Sequence, residues 1–260
     1  MALITKLPTA AAAAALPPFG TQPVSTDIKL FEDFFGNTIN DGTWWYGKRS
    51  TSGVSLSNNS STGTDDAFGA YKITVDGTAS KYGIIDGPHS ISKPTPLNGE
   101  ACLFESRLRI NTTGSNGEVA LVLGGFNNTD IWQNDYLGFK EYGASSTPHR
   151  VIVGHINGES NWRYASGNTA DFTGSSSDTG VACENSTYTR LAIKCIYNSS
   201  DADWDWTIYI NGSSVATGTL DDDYQLGCQL GMRGFDSSKP LHVDWISCQF
   251  KRDAIDYLTL

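Results

Sequence analysis

Beyond residue 27 the chain alternates between apolar and polar positions. In LFESRLRI (103–110), Phe104, Leu108 and Ile110 alternate with Glu105, Arg107 and Arg109. Successive side chains of a strand point to opposite faces, so this segment predicts a strand with one apolar and one charged face. EVALVLGGF (118–126) is almost continuously apolar, as a strand covered on both faces is. YLGFKEYG (136–143) and HRVIVGHI (149–156) follow, each the length of a strand. Leu191, Ile193, Cys195 and Tyr197 share one face of RLAIKCIY (190–197). DWTIYINGSSVATGTL (205–220) predicts a β-hairpin, because Asn211-Gly212 joins two alternating runs. HVDWISCQF (242–250) closes the pattern, with Trp206 and Trp245 expected in the core. The Ser/Gly/Asp-rich stretch 166–180 reads as a long loop. No helical period or internal repeat emerges, so the expectation is one all-β domain.

Composition supports that reading. Of 260 residues, 39% are hydrophobic and only 18% charged, with 27 Gly, which suits many strands joined by many turns. The net charge of −10 argues against nucleic acid as a partner, since that affinity needs cations against phosphates. No apolar run approaches the ~18 residues of a spanning helix, so no membrane insertion is expected. The amino-terminal MALITKLPTAAAAALPPFGTQP lacks the basic and apolar regions of a cleaved signal peptide. Residues 1–27 instead read as an Ala/Pro-rich arm, flexible or docked on a partner. Five widely spaced cysteines without a CxxC favour buried free thiols over one or two disulfides.

The order of these segments resembles the concanavalin A-like lectin/glucanase jelly roll, a group that includes family 16 glycoside hydrolases and laminin G-like modules. The resemblance rests on LFEDFFGNTINDGTWWYG (30–47) as the opening strand and turn, and on GEACLFESRLRI followed by GEVALVLGGF as paired central strands. TRLAIKCIY and its Asn-Gly hairpin resemble the late hairpin, and HVDWISCQF the closing strand that pairs near the first. It implies a single jelly-roll β-sandwich of two antiparallel sheets over residues 28–252, with an extended N-terminal arm and a tail at 253–260. In the hydrolase branch a strand bears Glu-x-Asp-x-Glu, whose period-2 spacing sets two carboxylates ~5–5.5 Å apart across one sugar bond. The matching strand has Asp135 and Glu141 six apart with Lys140 between, and the motif occurs nowhere in the chain. Glycosidase activity of that type is therefore not implied.

Candidate ligand contacts fall in two groups. Trp132, Asn134 and Asp135, with Trp162, Arg163 and Tyr164, suit a loop site where an indole stacks on a sugar and its neighbours bond the hydroxyls. Glu105, Arg107 and Arg109 share a polar strand face that suits sugar hydroxyls or a partner's backbone. The four histidines lack metal-like pairing, and no metal is assigned; Asp221 and Asp223 are weak candidates for Ca²⁺, against a solvated turn. The expected function is a non-catalytic structural or binding module, by architectural analogy a decoration, fibre or tail protein on a virion or phage surface. It would bind other structural proteins of the assembly through residues 1–27 and glycans or a host surface through its sheets, as a monomer or homo-oligomer. The alternatives are a free extracellular lectin, and a glycoside hydrolase with a displaced site using Glu105, Asp135 or Glu141.

Overall fold

The computed structural model describes residues 3–4, 27–32, 45–49, 53–59, 70–76, 81–87, 98–110, 117–124, 150–156, 158–167, 172, 176–221, 226–234 and 239–251. These form β1 (Leu3–Ile4), β2 (Asp27–Glu32), β3 (Tyr46–Arg49), β4 (Val54–Asn59), β5 (Ala70–Val75) and β6 (Tyr82–Asp86). Next come β7 (Ala101–Arg109), β8 (Glu118–Gly124), β9 (Arg150–Ile156), β10 (Asn161–Gly167) and β11 (Ser177–Ala182). The last five are β12 (Thr189–Asn198), β13 (Asp203–Ile210), β14 (Ser213–Asp221), β15 (Gly227–Arg233) and β16 (Leu241–Lys251). One sheet has the order β1-β2-β16-β7-β12-β13-β14, with β5 also pairing β16 and β4 pairing β5. The other runs β11-β10-β9-β8-β15-β6-β3, and all pairings are antiparallel. The result is the all-β sandwich that the alternation predicts.

The main core lies between the sheets. From the first sheet it takes Cys102, Phe104 and Leu108 of β7, with Leu191, Ile193 and Cys195 of β12. From the second it takes Val119, Leu121 and Leu123 of β8 and Leu230 and Met232 of β15. Removing each such side chain from water contributes about 1.5–3 kcal/mol. The other face of the second sheet is buried too: Ile84, Ala120, Val122, Ile152, Ala165 and Phe172 form a separate apolar cluster. That explains why β8 and β9 read as continuous apolar runs. The cross-strand ion pair Glu118–Arg233, 2.8 Å long, shares this second face.

The closing strand pairs with the first, as the resemblance implied: Cys248 lies opposite Leu30 and Phe250 opposite Ile28. The predicted hairpin forms, with Asn211 (φ 50°) and Gly212 (φ 86°) as its two turn residues. Asn211 also ties that turn to β12. Its N–H donates to Arg190 O at 2.8 Å, and its Oδ1 accepts from Arg190 N at 2.9 Å. All five cysteines are free and buried. The expected loop at 166–180 is partly strand, because Ser177 and Asp178 of β11 pair with Tyr164 and Arg163 of β10. Of the arm, Leu3 and Ile4 pair with Phe31 and Leu30. The rest of the arm before Asp27, the expected strand at 136–143 and the tail at 253–260 lie outside the described residues.

Candidate functional site

The outer face of the first sheet gathers polar and aromatic side chains from three adjacent strands. Strand β7 sends Cys102, Phe104 and Leu108 inward, so Leu103, Glu105, Arg107 and Arg109 face outward, as predicted. The register then places Arg190 of β12 opposite Arg107, and Ala192 opposite Glu105. On the other side of β7, Trp245 stands opposite Arg107 and Ser247 opposite Glu105.

Strand β16 reaches this arrangement through an irregularity. Register is lost between Val243 and Trp245, so two residues oppose one step of β7. A β-bulge of this kind changes the phase of alternation. Val243 and Ile246 both enter the core, while Asp244 and Trp245 are half-buried on the outer face. Trp245 is thus not the core residue that simple alternation predicts.

The charged groups are interlocked. Arg190 donates from Nε to Glu105 Oε2 at 2.9 Å, and its NH2 donates to the same oxygen. The Glu105 side chain is only 6% exposed, whereas that of Arg190 is 50% exposed. Arg107 pairs with Asp244 at 2.5 Å. Its guanidinium lies 4.6 Å from the Tyr188 ring centre, that of Arg109 lies 5.0 Å from the same ring, and that of Arg190 lies 5.9 Å from Trp245. Such contacts hold a cation over a ring face without consuming its N–H donors. Beside the Glu105–Arg190 pair a cleft of about 270 Å³ is lined by Leu103, Glu105, Arg190, Ala192, Lys194, Tyr209 and Gly212. Ser247, in alternation with the core residues Ile246 and Cys248, also lies on the outward side of the strand, where it is fully buried, and its hydroxyl has no hydrogen-bond partner among the described residues.

Of the loop group expected from sequence, Trp162, Arg163 and Tyr164 fall among the described residues. Trp162 is 1% exposed and packs in the core edge-on to His155, 6.2 Å between ring centres. It belongs to β10, whose polar positions Asn161 and Arg163 face β11 and disguise the alternation. Its indole is therefore not presented to solvent for stacking. Tyr164 also leans on the core, tilted against Trp206 at 6.2 Å. Arg163 latches the strand edge, donating from NH2 to Ser176 O at 2.7 Å and pairing with Glu159 at 3.4 Å. Trp132, Asn134, Asp135 and Glu141 lie outside the described residues, as does Asp223. Asp221 ends β14 opposite Asp203, and no cluster of three metal-ligating side chains occurs among the described residues.

No family model and no curated protein matches the sequence. Solved structures do match in shape. An endo-1,3-β-glucanase from Streptomyces sioyaensis superposes with a TM-score of 0.54 at 16% identity, covering 93% of this chain and 100% of that one. Winged bean acidic lectin in complex with methyl-α-D-galactose gives 0.53 at 10% identity, covering 87% and 99%. The fold is the concanavalin A-like jelly roll. A protein of unknown function from Shewanella oneidensis MR-1 shares this jelly roll, at TM-score 0.53, 17% identity and 90% coverage of both chains. An enzyme and a lectin thus stand among the jelly rolls of the same shape, and at these identities the likeness extends to the fold alone.

Proposed function

We propose that the protein is a non-catalytic carbohydrate-binding module that takes its ligand on the outer face of the first sheet. The observation that carries this reading is the cleft beside Glu105. It combines an acceptor carboxylate, guanidinium and ammonium donors from Arg190 and Lys194, and the Tyr209 ring in one concave patch. A few convergent polar groups beside an aromatic face are what a polyhydroxylated ring requires. Binding rather than hydrolysis is supported by the state of the carboxylates. Glu105 and Asp244 are each occupied by a guanidinium, which leaves neither placed as the free partner of a catalytic pair. The missing Glu-x-Asp-x-Glu supports the same reading.

A glycan array probed with the full chain tests the proposal, together with reducing-end release from laminarin, agar, carrageenan and xyloglucan. The expected outcome is binding without turnover, weakened by Lys194→Ala and by Tyr209→Ala. Release of reducing ends sinks the non-catalytic reading, and a blank array sinks carbohydrate as the ligand.

A further inference from the structure

Resting on the carbohydrate reading, we infer that the ligand is an acidic glycan, a sugar bearing carboxylate or sulfate, whose anionic group is held between Arg107 and Arg190. The two arginines are direct cross-strand neighbours on one face of the sheet. Like charges in that position destabilise a sheet, and here the repulsion is retained beside a third cation, Arg109. Arg107, Arg109, Arg190 and Lys194 outnumber Glu105 and Asp244 on a protein whose overall charge is −10. Asp203 and Asp205 lie farther along the same face on β13, so the cationic excess is confined to the patch around Arg107 and Arg190.

The side chains are pre-set for an anion. Arg107 spends NH1 on Asp244, and Arg190 spends Nε and NH2 on Glu105. Nε and NH2 of Arg107 and NH1 of Arg190 make no hydrogen bond to the described residues. Both side chains are about half exposed, at 47% and 50%, and the rings of Tyr188 and Trp245 restrain the guanidinium planes. A planar fork fixed in this way matches carboxylate or sulfate oxygens bidentately and loses little entropy on binding.

A simple anion or an acidic peptide does not complete the site. Glu105 lies on the same face, and it repels an anion unless the ligand also brings donors. A ligand with an acid group and hydroxyls on one ring satisfies the arginines and Glu105 together; an acidic side chain offers only the first.

The test uses one backbone in three charge states: dextran, carboxymethyl dextran and dextran sulfate, titrated into the full chain by calorimetry. Salt is kept at about 0.15 M, where the Debye length of ~8 Å screens the overall negative charge. Both charged forms are expected to bind at least about tenfold more tightly than dextran. Arg107→Gln should lower that affinity about tenfold, the loss of one charge-assisted contact, and Arg190→Lys, which keeps a cation beside Glu105 without the planar fork, should lower it as well, with thermal unfolding confirming that each variant is folded. Equal affinity of charged and neutral dextrans overturns the inference, as does unchanged affinity in both folded variants. Binding to neutral sugars on the array with no gain from charge leaves the carbohydrate module standing and removes only its acidic specificity. No binding to any glycan, neutral or charged, removes both.

Discussion

Replacing Arg190 by Met should destabilise the protein far more than replacing Glu105 by Gln, although both changes remove the same ion pair. The asymmetry follows from exposure. The Glu105 side chain is 6% accessible and receives two N–H donors from Arg190, whose own side chain is half in water. Arg190→Met removes the guanidinium and leaves a carboxylate stranded in a largely dehydrated position. Breaking a fully buried pair in this way costs about 3–5 kcal/mol. The adjoining cleft admits water, and relief of the Arg107–Arg190 repulsion returns a few tenths of a kcal/mol, so the expected net loss is about 2 kcal/mol. For a chain of this size that lowers Tm by roughly 4–8 °C. Glu105→Gln returns Arg190 to water and should cost less than about 1 kcal/mol, the range of exposed pairs. Urea and thermal unfolding of both variants and of the double variant give the coupling energy directly. A Glu105→Gln loss equal to or larger than that of Arg190→Met refutes the argument.

Further predictions concern the frame around the site. Gly154→Ala should abolish folding, because a Cβ there falls 1.9 Å from Val119 O, while Gly212→Ala, with open space around it but φ at +86°, should cost only about 1 kcal/mol by urea unfolding. Comparable losses at the two positions would contradict the packing of β9 on β8. Burial lowers the pKa of His155 below its ordinary 6.5, outweighing the Glu159 carbonyl that accepts from its ring. Below pH 6.5 the unfolded chain therefore takes up a proton that the folded chain refuses. Stability should be flat above 6.5 and fall between 6.5 and the lowered value, by at most about 1.4 kcal/mol per pH unit. His155→Gln should flatten that slope in urea titrations at pH 7 and 5.5, and an unchanged slope would assign it to another group. A thiol reagent at pH 8 should label none of the five cysteines rapidly in the native protein and all five in urea. Burial pushes Cys183 up to about 12 and holds Cys102, Cys195 and Cys248 well above the usual thiol range. Fewer than five labels in urea would mean a disulfide.

The strands were legible wherever one face is buried and the other is wet. In β13 the alternation around Trp204, Trp206, Ile208 and Ile210 is complete, and the Asn-Gly turn joins it to β14, whose register shifts between Ile208 and Tyr209. The two-sided burial of β8 was legible from its unbroken apolar run. Trp162 was not, because the polar face of β10 pairs with a polar edge strand, and the segment reads as loop by composition. The candidate face was half visible: Glu105, Arg107 and Arg109 announce a charged surface on their own strand. Their partners come from far along the chain, Arg190 at 85 residues and Asp244 at 137, and no local pattern connects them. One signal was available. In LHVDWISCQF, Leu241 and Val243 are out of phase with Ile246 and Cys248, and that break marks the bulge which turns Trp245 outward.

Strand β16 has a consequence for how the chain reaches this structure. It pairs with β5 through Leu241–Val243, with β2 through Ile246–Lys251, and with β7 along nearly its whole length. The first sheet therefore stays split into β1-β2, β4-β5 and β7-β12-β13-β14 until β16 is available to pair. Pairings between distant segments pay the entropy of loop closure before any contact repays it, and all-β chains of this type fold in milliseconds to seconds. During synthesis the edges of β2, β5 and β7 stand open to other chains. Nascent chains stalled before residue 241 should remain protease-sensitive, and emergence of β16 should confer resistance in a single cooperative step.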